Sequence, residues 1–460
     1  MSGKLTTIQS VYVLAIVSAT CLLTKPAAAA GFYFPEVGTP SSLGTGGVAN
    51  VTNTYGADAA WTNPAGMTGL EQDRVFAGLQ VVLPKIEFDA SIATGGGNDG
   101  NNAGETAFIP SFFYLKKLSD RTRLGFSVTA PLGGGVDYGD NFAGRYETIN
   151  AFLEGIAFSP SIGYEINEQL SVGAGVSFIY TLYEQDIAIN PAFVPTVNGG
   201  DGKLKIEDAD DWGYQPFLGL TYRLSDRALL GAVYRAEMDV DLDGDLNFRN
   251  WQLPGPRPTA NSAKLKWNNP QLIRVGASYR LDDEWHLLAD ADWEDWSEFS
   301  DNLLVVQGGT LDPSAAIDRE WRDTWHVGIA AIRKKSNRAY SIGLSYDSSP
   351  VKDAKRTIDL PMDRQVKLSA GFATEQSRRF DYALGATLLH AGDGKVDQQG
   401  HCQARIQQVH TVSQYRILAP GQRFAVRHLL PLSGVSEPHF FAFVSLHTST
   451  NRLAFALPQT

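Results

Sequence analysis

The chain has 460 residues, 43% of them hydrophobic and 19% charged, with a formal net charge of −11. Such an acidic chain is repelled by a phosphate backbone, which excludes nucleic acid as a partner. Its two cysteines, Cys21 and Cys402, are too few for a disulfide framework.

At the N-terminus, Lys4 precedes an apolar run at 11–23 and a small-residue region, Ala27 to Ala30. That is the pattern of a secretory signal over residues 1–30, too short and too poorly flanked to span a membrane. Cleavage after Ala29 and cleavage after Ala30 both fit. Removal takes away Lys4, Lys25 and no acid, so the charge moves from −11 to −13 and only Cys402 remains. No later stretch has about 18 consecutive apolar residues, so no transmembrane helix is expected.

Residues 31–72 are Gly, Ala, Thr, Asn and Ser punctuated by Pro. They are too irregular for a strand and lack the periodicity of a long helix. Their bulky residues are few: Phe32, Tyr33 and Phe34, then Tyr55, Trp61, Met67 and Leu70. A segment this poor in bulk cannot make its own core and needs walls from the rest of the chain. It reads as a hatch, or plug.

Residues 73–391 supply the walls. Leu170, Val172, Ala174, Val176, Phe178, Tyr180 and Leu182 alternate with small or polar residues. Ala228 to Leu242 alternates with a face carrying Arg235, Glu237 and Asp239, and the same period of two returns through 285–293, 340–346, 366–372 and 382–388. Many alternations exceed the five or six residues of an average strand and reach bilayer-crossing length. In hydrocarbon an open sheet edge is costly, so the expected fold is all-β: a closed transmembrane antiparallel β-barrel. The tryptophans, mostly near segment ends, suggest an interfacial girdle.

Thirteen strand segments can be placed, near 73–91, 107–118, 121–131, 151–166, 169–188, 212–224, 227–243, 264–281, 285–306, 320–334, 338–352, 365–375 and 379–391. Bacterial single-chain barrels have even strand numbers, so the tail, 392–460, owes one more. From 401 onward that tail holds five of the eight histidines, one acid (Glu437), no Lys and no Trp. This break in composition suggests a shifted reading frame. The segments 440–446 and 453–457 are the candidates for the last strand.

The opening Ala30-Gly31-Phe32, the Gly-rich 43–47 and the Asn63-Pro64-Ala65 triplet after Asp58 resemble the FadL family of outer-membrane transporters for long-chain fatty acids and related hydrocarbons. The resemblance covers about residues 30–398. It implies a fourteen-strand barrel in the Gram-negative outer membrane, monomeric, set in lipid and lipopolysaccharide and inserted by the barrel-insertion machinery. It implies passive uptake of a fatty acid or hydrocarbon, with no cofactor and no catalysis. An aromatic-hydrocarbon channel of the same fold, a lipid-modifying barrel enzyme and a surface receptor or adhesin are the other readings. The implied path runs from apolar loops (Phe193) to a lumenal pocket touching Phe32. A hatch shift at Gly31 and Asn63 to Ala65 then opens a sideways exit.

The exit has its own signal. The third strand runs into Ala130-Pro131-Leu132-Gly133-Gly134-Gly135. Proline donates nothing to a ladder and glycine weakens pairing, so a breach is expected there. Arg145, Arg235, Arg274 and Lys367 are the cations placed to meet a carboxylate; pairing with Glu237, Asp290 or Asp292 is the competing reading. Asp239-x-Asp241-x-Asp243-Gly244 opens like a calcium loop, but Asn250 stands where the loop needs Glu, so a polar lumen face or rim is expected. His401, Cys402 and His410 are not read as metal ligands. No Ser–His pair can be nominated for catalysis.

Overall fold

A sheet that crosses a bilayer has to close on itself, and this one does. In the computed structural model, which describes residues 38–90, 96–189, 201–250, 259, 261–307, 315–375, 380–397, 403–407 and 441–448, the wall is a ring of antiparallel strands. In chain order these are β1 (Arg74–Val82), β2 (Ala107–Lys117), β3 (Thr122–Asp137), β4 (Asn150–Glu165), β5 (Leu170–Ile189), β6 (Gly202–Ser225) and β7 (Ala228–Arg235). They continue as β8 (Leu272–Arg280), β9 (Trp285–Glu294), β10 (Thr324–Lys335), β11 (Arg338–Asp347), β12 (Gln365–Glu375), β13 (Phe380–His390) and β14 (Phe441–Thr448). Each pairs with the next, and β14 pairs with both β13 and β1, which closes the ring at fourteen. The gap expected after β13 is therefore filled from the tail, by 441–448, overlapping the first of the two candidate segments.

Tight turns at 118–121, 226–227, 281–284 and 336–337 mark one end of the barrel as periplasmic; the long connections lie at the other. The outer face carries a band of exposed aliphatic side chains, including Leu218, Ile273, Val327, Ile342 and Leu368. Aromatic residues flank it, with Tyr164, Tyr222, Tyr279 and Tyr340 near the tight turns. Trp212, Tyr214 (68% exposed), Tyr234 and Trp325 (61% exposed) lie on the other side. Water would penalise so much exposed apolar area, whereas lipid does not. The girdle does not use every tryptophan. Trp267, Trp296 and Trp321 are buried and pack with Phe299 in an aromatic cluster at the extracellular end.

Above the upper girdle the wall turns inside out. In β7 Tyr234 points out and Arg235 in; after a break at Ala236 and Glu237, the strand Met238–Arg249 buries Met238, Val240 and Leu242 and exposes Asp239 and Asp241. The neighbouring Ser262–Asn269 buries Leu265 and Trp267, yet its continuation β8 turns Ile273 and Val275 outward. In β6 the change falls at Asp208, whose φ of 53° sits at a register shift. The cause is the solvent outside: apolar groups face lipid within the membrane and the barrel interior once water surrounds it. The expectation of one uninterrupted face from Ala228 to Leu242 is corrected accordingly, and of the two places left open for the aspartate triplet, lumen face or rim, it takes the outer rim.

Candidate functional site

From Gly38 onward the hatch crosses the lumen in three short helical turns. Thr39 caps the first, α1 (Pro40–Leu43), through a bond from the Ser42 amide at 3.3 Å, and Pro40 takes the position where its missing donor costs nothing. Gly46 and Gly47, with φ of 66° and 88°, end that turn in a conformation other residues resist. The second turn, α2 (Ala59–Thr62), runs into Asn63, which caps the 3-10 turn Pro64–Gly69. Asn63 accepts from the Ala65 amide at 3.1 Å and donates to the Val51 carbonyl at 2.7 Å and to Leu220 of β6 at 3.2 Å. One amide thus folds the triplet, ties it to the preceding hatch segment and fastens it to the wall.

The wall meets the hatch through glycines. A Cβ at Gly173 would lie 2.5 Å from the Ala65 amide, one at Gly219 2.2 Å from Asn63 Oδ1, and one at Gly163 2.4 Å from the Pro64 carbonyl. Gly231 and Gly343 face the carbonyls of Val51 and Thr45 at 2.2 Å and 2.1 Å in the same way. These positions form a seat running round the barrel at one level, where only a missing side chain admits the hatch backbone. The sequence carried this signal as glycine recurring on the inward parity of successive strands, and pattern reading by strand alone passed over it.

Arg235 lies buried between Trp61 of the hatch and Phe217, its guanidinium carbon 3.9 Å and 4.5 Å from the ring centroids, and it also donates to the Trp61 carbonyl. Stacking of this kind is attractive when desolvated. Arg274 pairs with Asp292, as one sequence reading had it, with Nε 2.6 Å from Oδ2. Lys367 pairs with Asp347 at 3.2 Å, and His326 lies between Asp347 at 2.8 Å and Asp290 at 3.4 Å. Together these make a charge ladder on the inner wall, on the extracellular side of the 45–48 hatch segment. Arg145 is not in the lumen. It belongs to the extracellular cap, where it binds Asp201 at 2.8 Å and the Gly96 carbonyl at 2.7 Å. Phe32, Phe193 and Gly31 lie outside the described residues.

The breach is present and larger than expected. Pairing between β2 and β3 stops at Phe112 opposite Val128, although β2 stays on β1 as far as Ala107 and β3 stays on β4 as far as Asp137. The third strand thus does not end at the Pro-Gly stretch; it runs on to Asp137, with a register shift between Thr129 and Leu132. The result is a window with edges 107–111 and 129–136, closed above by the Asp137 amide donating to the Ala103 carbonyl at 2.9 Å. Both edges carry a proline, Pro110 and Pro131, so each lacks one donor that hydrocarbon would leave unsatisfied. Sequence reading found Pro131, Gly133 and Gly134 and missed Pro110. Behind the window, Leu132 (1% exposed) belongs to an apolar column with Leu153, Ala157, Ile179, Tyr183 and Trp61.

Over the extracellular mouth, Glu87–Ala90 and Lys395–Asp397 pair with Gln403–Gln407 in a small sheet. Phe88, Tyr138, Phe142, Ile358 and Val396 pack beneath it. Besides Arg145 with Asp201, the ion pairs that hold this cap include Arg319 with Asp359 at 2.6 Å and Arg356 with Asp363 at 3.3 Å. Burial raises the Asp359 carboxyl, but Arg319 beside it outweighs that and leaves it below the usual range. Glu147, in the 138–149 loop, is pushed up to about 7, first by burial and then by Asp359.

A closed barrel with lipid-facing girdles, a plug seated in its bore and a window in its wall is an outer-membrane transport protein of the plugged-channel class. The chain belongs to the outer membrane protein transport protein family (OMPP1/FadL/TodX), whose model matches residues 20–421. It is 25% identical over 407 residues to a long-chain fatty acid transport protein of Escherichia coli O6:H1, covering 82% of this chain and 90% of that one. Its fold matches the crystal structure of a Pseudomonas aeruginosa FadL homologue at a TM-score of 0.73 and 18% identity, over 91% of this chain and 99% of the other. It matches the Ralstonia pickettii toluene transporter TbuX at 0.62 and 19%, over 90% and 99%.

Proposed function

We propose that the protein carries long-chain fatty acids or similarly apolar compounds passively across the outer membrane, altering no bond in them. The window between 107–111 and 129–136 is the observation that carries this reading, because it joins an apolar lumenal column to the lipid-facing side of the wall. A ligand more soluble in lipid than in water leaves more cheaply sideways than into the periplasm, by about 0.8 kcal/mol per CH₂ group. In this reading the apolar stretch 189–195, Phe193 included, gathers the ligand, and Phe32 touches it in the lumen. Arg145 holds the mouth in shape. Asn63, Pro64 and Ala65 are the part of the hatch that moves, with Gly31 at its entry. Pro131, Gly133 and Gly134 keep the exit unpaired.

Arg235 links binding to opening. Its guanidinium is occupied by Trp61, so a carboxylate arriving in the column competes with the hatch for it and loosens Trp61. A hydrocarbon without a carboxylate lacks that lever and has to displace Trp61 by packing alone. Labelled oleate uptake by cells lacking their own transporter tests the reading. Wild-type protein should restore uptake and Asn63→Ala should alter it, whereas uptake equal in cells with and without the protein would refute transport. Competition by unlabelled oleate against toluene decides the ligand class.

A further inference from the structure

A second cavity lies on the far side of the hatch from the window. It has a volume of about 390 Å³ and sits between the hatch and the periplasmic ends of β1 and β10–β13. Its walls are amphipathic. Phe76 and Ile332 give it apolar surface, and the inward Ala339, Ala373 and Ala383 leave it room. Its charges are lopsided: Arg74, Lys334 and Arg338 line it against one acid, Asp58. Lys334 and Arg338 form no ion pair with any carboxylate among the described residues, and both are exposed at the tight turn through Ser336 and Asn337. The Lys334 ammonium lies 5.5 Å from the Tyr55 ring centroid, on the hatch side of the space. Asp58 is poorly placed to neutralise Lys334 and Arg338. It is buried on the hatch, and burial raises its carboxyl despite hydrogen bonds from Asn53, Thr39 and Ser41.

We propose that this cavity is a binding site for the carboxylate end of an amphiphile, opening to the periplasm and separate from the window. Arg74, Lys334 and Arg338 would hold the carboxylate, and the space beside Phe76 and Ile332 would take the first part of the chain. Planar guanidinium and mobile ammonium donors both suit a carboxylate at a wet rim. The inference rests on the uptake reading, in which the protein handles acids of this class, and adds a periplasmic-side site for acid that has already left through the window; a neutral hydrocarbon would not use it.

The test is equilibrium dialysis of labelled laurate, with labelled dodecan-1-ol as the uncharged control, against the full-length protein in neutral detergent. Wild type should show two classes of laurate site. Lys334→Ala with Arg338→Ala should weaken one of them about tenfold or more, the loss of a charge-assisted hydrogen bond, and leave dodecan-1-ol binding unchanged. Ala373→Phe, which fills the cavity and keeps its charges, should remove the same class, and heat-modifiable gel mobility shows whether each variant has folded. Laurate binding unchanged in folded variants would overturn the site and leave uptake standing. Absence of laurate binding in wild type would overturn uptake and this site together.

Discussion

At the scale of single residues, the hatch is held by what the wall lacks. Gly231 and Gly343 give the hatch backbone space that any Cβ would occupy. Gly343→Val should therefore unseat the 43–47 segment without breaking the barrel. The check is entry of a hydrophilic antibiotic that the seated hatch excludes: leakage should rise in the variant while heat-modifiable mobility stays normal. An opposite kind of control sits at Glu147. Its carboxyl is raised to about 7 in the folded cap, above the ordinary value of 4.5. The folded state therefore binds the proton more tightly than the unfolded one. That stabilisation is full below about pH 4.5 and is lost as pH rises through 7. Protection factors of the 138–149 amides, with the intrinsic rise of exchange with pH divided out, should fall from pH 5 to pH 8, and Glu147→Gln should remove that fall.

At the scale of elements, the window and the cap follow from pairing and burial. Pro131→Val restores a donor and a β-branched side chain where β3 leaves β2. It should extend the ladder beyond Phe112 and Val128 and lower oleate uptake several-fold with expression unchanged. In the cap, Arg319→Met leaves Asp359 buried without its cation, a change that costs about 3–5 kcal/mol when a buried pair loses one partner. Proteolysis of the extracellular loops should then occur at protease levels that leave wild type intact.

The strands were legible because the alternation that lipid demands is local: each of the thirteen segments read from the sequence corresponds to a wall strand. The seat and the window were legible only in part. Gly173 and Gly219 are ordinary small residues until their register brings both under Pro64. Pro110 looks like an interruption of β2 until β3 is placed beside it. The inversion above the membrane was hidden for another reason. Residues 228–242 keep one parity throughout, and only the break at 236–237, set in three dimensions, shows that the faces exchange.

At the scale of the whole molecule, closure depends on a strand distant in sequence. β14 joins β13 to β1 and removes the last two unpaired edges, each costing several kcal/mol per exposed backbone group in hydrocarbon. With the bore plugged by the hatch and the mouth covered by the cap, the window is the opening through which transport is proposed to end. The most direct measurement bridges it. Ile109→Cys and Pro131→Cys, in a Cys402→Ser background, place a thiol on each edge, to be joined by a short bis-methanethiosulfonate. Bridged cells should take up labelled oleate no faster than cells lacking the protein, and reductant should restore the rate; undiminished uptake through a verified bridge would contradict lateral exit.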